Sequence, residues 1–469
     1  MKAFGNETEM NPNNREQTIF KEAPVMSAIG KLALPTIAGQ IILVIYNMAD
    51  TFFIGLTGSD VKLTAVTICL PAFMFLSAIA NLFGVGGASE AARSLGSEKR
   101  DRAGVSCAFS FYGCALLTLF YILLAVLFRH PFLNLLGAGA EDVHRFANTY
   151  LLVTVGLGGL GTSMSMVMAH LFRSEGRSLD ASIGIVIGSV LNILLDPFFM
   201  FVLLPKGKEV LGAALATAVS NWAAFLVMGI LQARRQNSVL RFSFPFAVDK
   251  KLVKNILSTG LPACIMTLFE NISYACLDWL MMANGTAAQA GLGVAKKINM
   301  LAHATVRGLT QGVLPLIAYN YAAKDKQRMK QVIRDTVLIA VSIGTVCMVL
   351  CLTLSRPLVG IFVRPGESLT IGAKFLRILT VGGPFSACAY TFISFFQAVK
   401  KPKTSFLLAI LRKGILDLPM MFLFRLFAPL TGSVYATPVA DILCCLTSFA
   451  LFASYYRSHR LSGSEAPAK

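Results

Sequence analysis

The stretch "SVLNILLDPFF", residues 189 to 199, decides how the chain is read. Most of it is lipid-soluble helix, yet Asn192 and Asp196 stand inside it. A charged side chain at the centre of a bilayer costs about 2.5 to 3.5 kcal/mol even on the lenient insertion scale, so it faces a cavity or a partner. Four residues apart, the two share one helix face. Something is expected to be coordinated there.

The surroundings are membrane-like throughout. Of 469 residues, 55% are hydrophobic and 14% charged, against about 25% charged in soluble domains. Each crossing needs about 20 apolar residues, and the apolar runs fall near 31–56, 64–89, 104–128, 146–171, 182–204, 210–231, 254–283, 288–318, 332–360, 371–398, 404–427 and 433–456. The fold class expected is an all-α integral membrane protein with twelve transmembrane helices.

The net charge of +18 would suggest nucleic acid in a soluble chain. With the N-terminus inside, however, most Lys and Arg fall on the inward segments, which is the positive-inside pattern of an oriented membrane protein. No nucleic-acid partner is expected. The chain is read as multi-pass in the plasma (bacterial inner) membrane with both termini cytoplasmic. Residues 1–26 are polar and lack the apolar core of a signal peptide, so the first span is expected to be its own insertion signal. The ten cysteines lie in spans without CxxC spacing and read as small packing residues.

The sequence also repeats itself. Sliding it by 227 residues lays "LPTIAGQIILVIYNMAD" (34–50) over "LPACIMTLFENISYACL" (261–277) and "LGSEKRDRA" (95–103) over "AAKDKQRMK" (322–330). A slide of 220 lays "GAALATAVSN" (212–221) over "GSVYATPVAD" (432–441). Two pseudo-symmetric six-helix lobes follow, related by an axis along the membrane normal. The expected organisation is a cytoplasmic tail 1–30, an N-lobe 31–232, a cytoplasmic linker 233–251, a C-lobe 252–457 and a cytoplasmic tail 458–469. The natural site is the cleft between lobes. Pro35 and Pro262 recur near the start of each lobe, where a proline marks either a helix start or a kink.

In the N-lobe, counting 1.5 Å per residue puts Asp50 about 9 Å, Asp196 about 12 Å and Thr217 about 10 Å below the outer ends of their spans. With Asn192 they offer two carboxylates, an amide oxygen and a hydroxyl at one depth. Hard oxygen ligands of this kind suit a small cation such as Na+. The same carboxylates can instead hold protons, because burial and like charge favour the neutral form. The spacing leaves H+ and Na+ both open.

In the C-lobe, Glu270 lies about 20 Å from the outer end of its span, with Asp417 and Asp441 as further buried acids. Lys296, Lys297, Arg307, Lys374, Arg377, Arg412 and Lys413 share those spans; they are expected to neutralise the acids, or else to line a cavity for an anionic substrate. Glu270, Asn271, Met164 and Met168 are candidate substrate-cavity residues, Met being adaptable to varied ligands. "GIVIG" (184–188) reads as close helix packing. No HExxH, GxSxG or GxxxxGK[ST] is present, so neither an enzyme nor an ATP-driven pump is expected. No cofactor is expected, and no metal beyond Na+ at the coupling site.

These residues resemble a known family. "LP" followed by "NMADTFFIG" in the first span, "FRSEGRS" after the fourth, "LNILLDPFF", "GAALATAVS" and "LPLIAYNYAAKD" after the eighth are similar to the multidrug and toxic compound extrusion (MATE) transporters over residues 28–457. The resemblance implies a two-lobe exporter exchanging H+ or Na+ for amphipathic, often cationic, organic compounds by rocking between outward and inward states. It implies a cation site at Asp50, Asn192, Asp196 and Thr217. Span 10, "TVGGPFSACAYTFISFFQAV", lacks the carboxylate some relatives carry, and Val399, Lys400 and Ala322 also depart from the family pattern. Small organic molecules and lipid are the expected partners, with the protein working as a monomer. The alternatives are a lipid-linked oligosaccharide or lipid flippase of the same superfamily, and a non-transporting membrane scaffold or sensor.

Overall fold

The computed structural model describes residues 18–138, 140–235, 238–240 and 248–461. Residues 1–17 and 462–469 of the expected tails, and 236–237 and 241–247 of the expected linker, lie outside the described residues. Every regular element among the described residues is helical. The first repeat holds α1 (Val25–Gly55), α2 (Asp60–Gly96), α3 (Arg100–Leu127), a short α4 (Arg129–Leu135), α5 (Glu141–Leu151), α6 (Gly159–Ser174), α7 (Ser178–Pro197) and α8 (Glu209–Ala233). The second holds α9 (Lys250–Met282), α10 (Thr286–Ala322), α11 (Lys326–Thr353), a short α12 (Ser355–Gly360), α13 (Glu367–Thr380), α14 (Gly383–Ala398), α15 (Pro402–Ile410), α16 (Leu418–Phe427) and α17 (Gly432–Leu461). π-helical turns join α5 to α6 (Leu152–Leu157), extend α7 (Phe198–Leu203) and join α15 to α16 (Leu411–Asp417).

Eight of these helices, α7 counted with its π turn, are long and apolar enough to cross a membrane. Two bent pairs add a crossing each: α5 and its π turn meet α6 at 46°, and α13 meets α14 at 42°. α10 and the α15–α16 pair complete the twelve-helix architecture, the first less uniformly apolar and the second made of two shorter helices. α10 carries Lys296, Lys297 and Arg307, while α15 and α16 are short and separated by the turn bearing Arg412, Lys413 and Asp417. Both of these interrupted or charged crossings belong to the second repeat.

α3 shows why a lipid-facing sequence folds this way. Its buried face is small or weakly polar, with Ser106, Ser110, Cys114 and Thr118 at four-residue steps, whereas Leu116, Leu119, Leu123 and Leu127 are exposed. Small residues let neighbouring helices approach. The leucines would be a liability in water and face hydrocarbon in a bilayer. All ten cysteines are free.

Packing divides the helices into two compact units, Met1–Leu268 with Gln311–Val332, and Phe269–Thr310 with Ile333–Lys469. The division falls inside α9, α10 and α11, not at the linker, because the near halves of α9 and α10 pack on α1 and α2. A Cβ on Gly260 would stand 1.7 Å from the Leu82 carbonyl oxygen, and one on Gly86 2.2 Å from that of Ile256. Glycine alone lets two backbones come that close. Pro35 and Pro262 lie well inside α1 and α9, so neither marks a helix start.

Phe20, in a π-helical turn ahead of α1, is fully buried in the first unit against Tyr319, with centroids 5.2 Å apart. Arg328 holds this turn by donating from Nε to the Phe20 carbonyl at 2.9 Å and from Nη2 to that of Ala23 at 2.6 Å. The segment just before the first span is thus packed rather than a free tail.

Candidate cation and substrate site

The N-terminal unit brings the candidate cation residues to one place through the crossing of α7 with α8. Gly184 and Gly188, the ends of "GIVIG", make that crossing close: a Cβ on Gly188 would lie 2.7 Å from Ala224 Cβ, and one on Gly184 2.5 Å from the Met228 side chain. One turn further along α7 stands Asn192, whose amide nitrogen lies 3.4 Å from Thr217 Oγ1 on α8 and 3.5 Å from Asp196 Oδ1. Turned over, the amide puts its nitrogen 3.3 Å from Asp196 Oδ2 and its oxygen 3.3 Å from the Thr217 backbone nitrogen. Either way it bridges the acid and α8.

Asp196 has 0% exposure, Asn192 2% and Thr217 5%. Asp50, on α1, is half-buried and lies within electrostatic reach of Asp196. Tyr46 and Tyr150 are buried within the field of both acids. No Lys or Arg forms an ion pair with Asp196 among the described residues. A fully buried carboxyl without a cationic neighbour is stable only if it is protonated or takes a mobile cation. Pro197 follows Asp196 and removes a backbone donor, and the helix widens into its π turn, an irregularity that recurs at functional sites.

The C-terminal unit treats its acids in the opposite way. Asp441 accepts from Arg412 Nε at 2.7 Å. Asp417 accepts from Lys413 Nζ at 2.7 Å, Ser273 Oγ at 2.7 Å and Thr437 Oγ1 at 3.1 Å. Glu270 faces Arg307 Nη2 at 3.3 Å and accepts from the Tyr390 hydroxyl at 3.2 Å. Asp278 pairs with Lys296. The Arg412 guanidinium also lies over the Tyr390 ring, 4.2 Å from its centroid. Each of these acids has a covalently tethered cation.

Of the candidate cavity residues, Glu270 is buried in this network and Asn271 beside it is half-buried. Met164 and Met168, at 2% and 0% exposure, are packed inside the other unit. A lining role for them requires that unit to open. Among the described residues no group of three or more His, Cys, Asp and Glu could hold a metal ion.

Sequence reasoning missed Tyr46, Tyr150, Ser273 and Tyr390. Tyr46 had a local signal, one turn before Asp50 on the same face. The others are brought in by helices distant in sequence, and nothing local announces them.

Comparison with known proteins bears on the whole chain. The MatE family model matches residues 35–198 and again 262–423, starting at the same spacing as the sequence's own repeat. The multidrug export protein MepA of Staphylococcus saprophyticus is 29% identical over 448 residues, 95% of this chain and 97% of that protein. MepA of Staphylococcus aureus (strain MRSA252) is 29% identical over 430 residues, 92% and 94% respectively. Two solved structures share the fold. A MATE protein in complex with MaL6 has a TM-score of 0.87 at 22% identity, covering 94% of this chain and 98% of that one. The outward-facing conformation of a multidrug resistance MATE transporter has 0.85 at 21%, with the same coverage.

Proposed function

Because the chain belongs to the MATE family of transporters, we propose that it is a secondary active multidrug exporter of the plasma membrane, exchanging H+ or Na+ for amphipathic, cationic organic compounds. Both termini are cytoplasmic in this reading, the protein works as a monomer, and no chemistry is performed on the substrate. The observation that carries it is Asp196, buried against Asn192 and Thr217, within reach of Asp50 and, among the described residues, without a tethered cation.

A coupling ion acts by binding one conformation better than another, and only that difference moves the equilibrium. Neutralising Asp196 with a proton or Na+ removes the cost of burying its charge. Emptying the site restores that cost and drives the surrounding helices toward a packing in which the carboxylate meets water. Drug affinity then changes with ion occupancy, and the same coupling acts in reverse.

The flippase alternative needs embedded cations free to meet an anionic headgroup. Lys296, Arg307, Arg412 and Lys413 are turned toward acids of their own unit, which favours the antiporter. The test is uptake of a fluorescent cationic dye by proteoliposomes under an imposed pH or Na+ gradient. Wild type should respond to one gradient and Asp196→Asn to neither. Gradient-driven uptake undiminished in that variant would refute the coupling role. Absence of any dye movement with wild type would point to the flippase or to a non-transporting scaffold.

A further inference from the structure

Arg173, near the C-terminal end of α6, is 2% exposed and has no carboxylate partner among the described residues. The acids nearest in sequence are committed elsewhere: Glu175 and Asp180 to Arg177 at 3.3 and 2.8 Å. Glu90, the buried acid at the same end of α2, is held by Arg93 at 2.9 Å and Arg102 at 3.1 Å. Among the described residues a single hydrogen bond holds the guanidinium, from Nη1 to His170 Nδ1 at 3.4 Å.

That contact belongs to a chain in which every proton is assigned by its neighbour. Arginine only donates, so His170 Nδ1 accepts and its Nε2 carries the hydrogen. Nε2 then donates to Asn81 Oδ1 at 3.2 Å, Asn81 Nδ2 donates to Thr267 Oγ1 at 2.9 Å, and Thr267 donates to the Ala263 carbonyl at 2.9 Å. Read from Thr267 back, the same order results. His170 is therefore neutral, and the full positive charge stays on Arg173.

The guanidinium atoms left over are Nε and Nη2, both buried and without a hydrogen-bond partner among the described residues. They form one edge of the guanidinium, with two parallel N–H bonds in the geometry that receives a carboxylate side-on. An unpaired charge buried in protein costs several kcal/mol. We propose that Arg173 is the anchor of an anion site, taking a small monovalent anion, a halide or a short carboxylate, on its Nε/Nη2 edge. The relay from Arg173 runs through α6 and α2 to α9, across the contact where Gly260 meets Leu82. A bound anion therefore strengthens the packing of those three helices.

The test uses purified full-length protein in detergent without any gradient, so it stands apart from the transport reading. Thermal unfolding is followed at constant ionic strength while a bulky sulfonate buffer anion is replaced by chloride or by acetate. Ligand bound only to the folded state raises the midpoint saturably. Wild type should show that rise, Arg173→Lys should need at least tenfold more anion because it keeps the charge and loses the fork, and Arg173→Gln should show none. A wild-type midpoint indifferent to anion identity overturns the proposal. So does an unchanged response in Arg173→Gln or, if that variant does not fold, an unchanged half-saturation in Arg173→Lys.

Discussion

Replacing Asp441 by Asn while leaving Arg412 in place would strand a guanidinium that is 1% exposed. At 2.7 Å and an effective dielectric of about 20, the gross attraction between the two charges is about 6 kcal/mol, most of which offsets the desolvation of both ions. Removing one partner therefore costs far more than the net value of the pair, about 3–5 kcal/mol. Arg412→Met should cost a similar amount by stranding the carboxylate. The double variant Arg412→Met/Asp441→Asn buries no unpaired charge, so its destabilisation should fall short of the sum by about 2–3 kcal/mol. The measurement is equilibrium unfolding of purified protein by a denaturing detergent in mixed micelles, for all four members of the cycle. Additive losses would mean that Arg412 and Asp441 do not hold one another and would refute the assignment of this acid as structurally neutralised.

Three other outcomes follow from the geometry. Gly188→Leu must push α7 from α8, since even a Cβ stands 2.7 Å from Ala224; a loss of at least about 1–3 kcal/mol should appear as an earlier unfolding midpoint, together with weakened ion dependence of dye transport. Asn192→Ala removes the bridge between Asp196 and Thr217, and should raise the ion concentration for half-maximal transport about tenfold, the equivalent of roughly 1.4 kcal/mol. Glu209, at the start of α8, accepts from Lys62 Nζ at 2.8 Å and from the Gly207 N–H at 3.0 Å; Glu209→Gln removes this partly exposed ion pair and should lower stability by roughly 0.5–1 kcal/mol, read as an earlier unfolding midpoint that high salt largely erases.

What could be read in the sequence was mostly what is local along a helix. Asn192 and Asp196 are one turn apart, and so are Lys413 and Asp417; such pairs follow from helical geometry before any tertiary structure is known. Thr217 could be placed by counting residues down its span. Arg412 and Asp441 are separated by 29 positions and meet only because α15–α16 packs on α17, which no periodicity announces. The π turns were equally invisible, since they add one residue to a helical turn without changing its composition. Glu270 was singled out for its depth, yet depth alone does not reveal that Arg307 and Tyr390 would meet it.

The contrast between the repeats is the physical basis for the proposal that coupling resides in the N-terminal unit. Both repeats bury acids, so burial does not distinguish them. What differs is the source of the compensating charge. Around Asp417, Asp441 and Glu270 it is supplied by Lys413, Arg412 and Arg307, which are covalently attached and always present. Around Asp196 the neighbours among the described residues are an amide, a hydroxyl and the field of a second acid, so in the proposed function compensation arrives from solution and can leave again. An exchangeable charge makes the stability of a helix packing depend on ion concentration, whereas a tethered one makes it constant. Moving the exchangeable character should therefore be possible. Lys413→Met leaves Asp417 with Ser273 and Thr437, a donor set of the same kind as that around Asp196, and the resulting protein should show cation-dependent thermal stability even with Asp196→Asn in place. If that double variant unfolds at a midpoint indifferent to pH and Na+, the distinction between tethered and exchangeable compensation does not govern where this fold binds its ion.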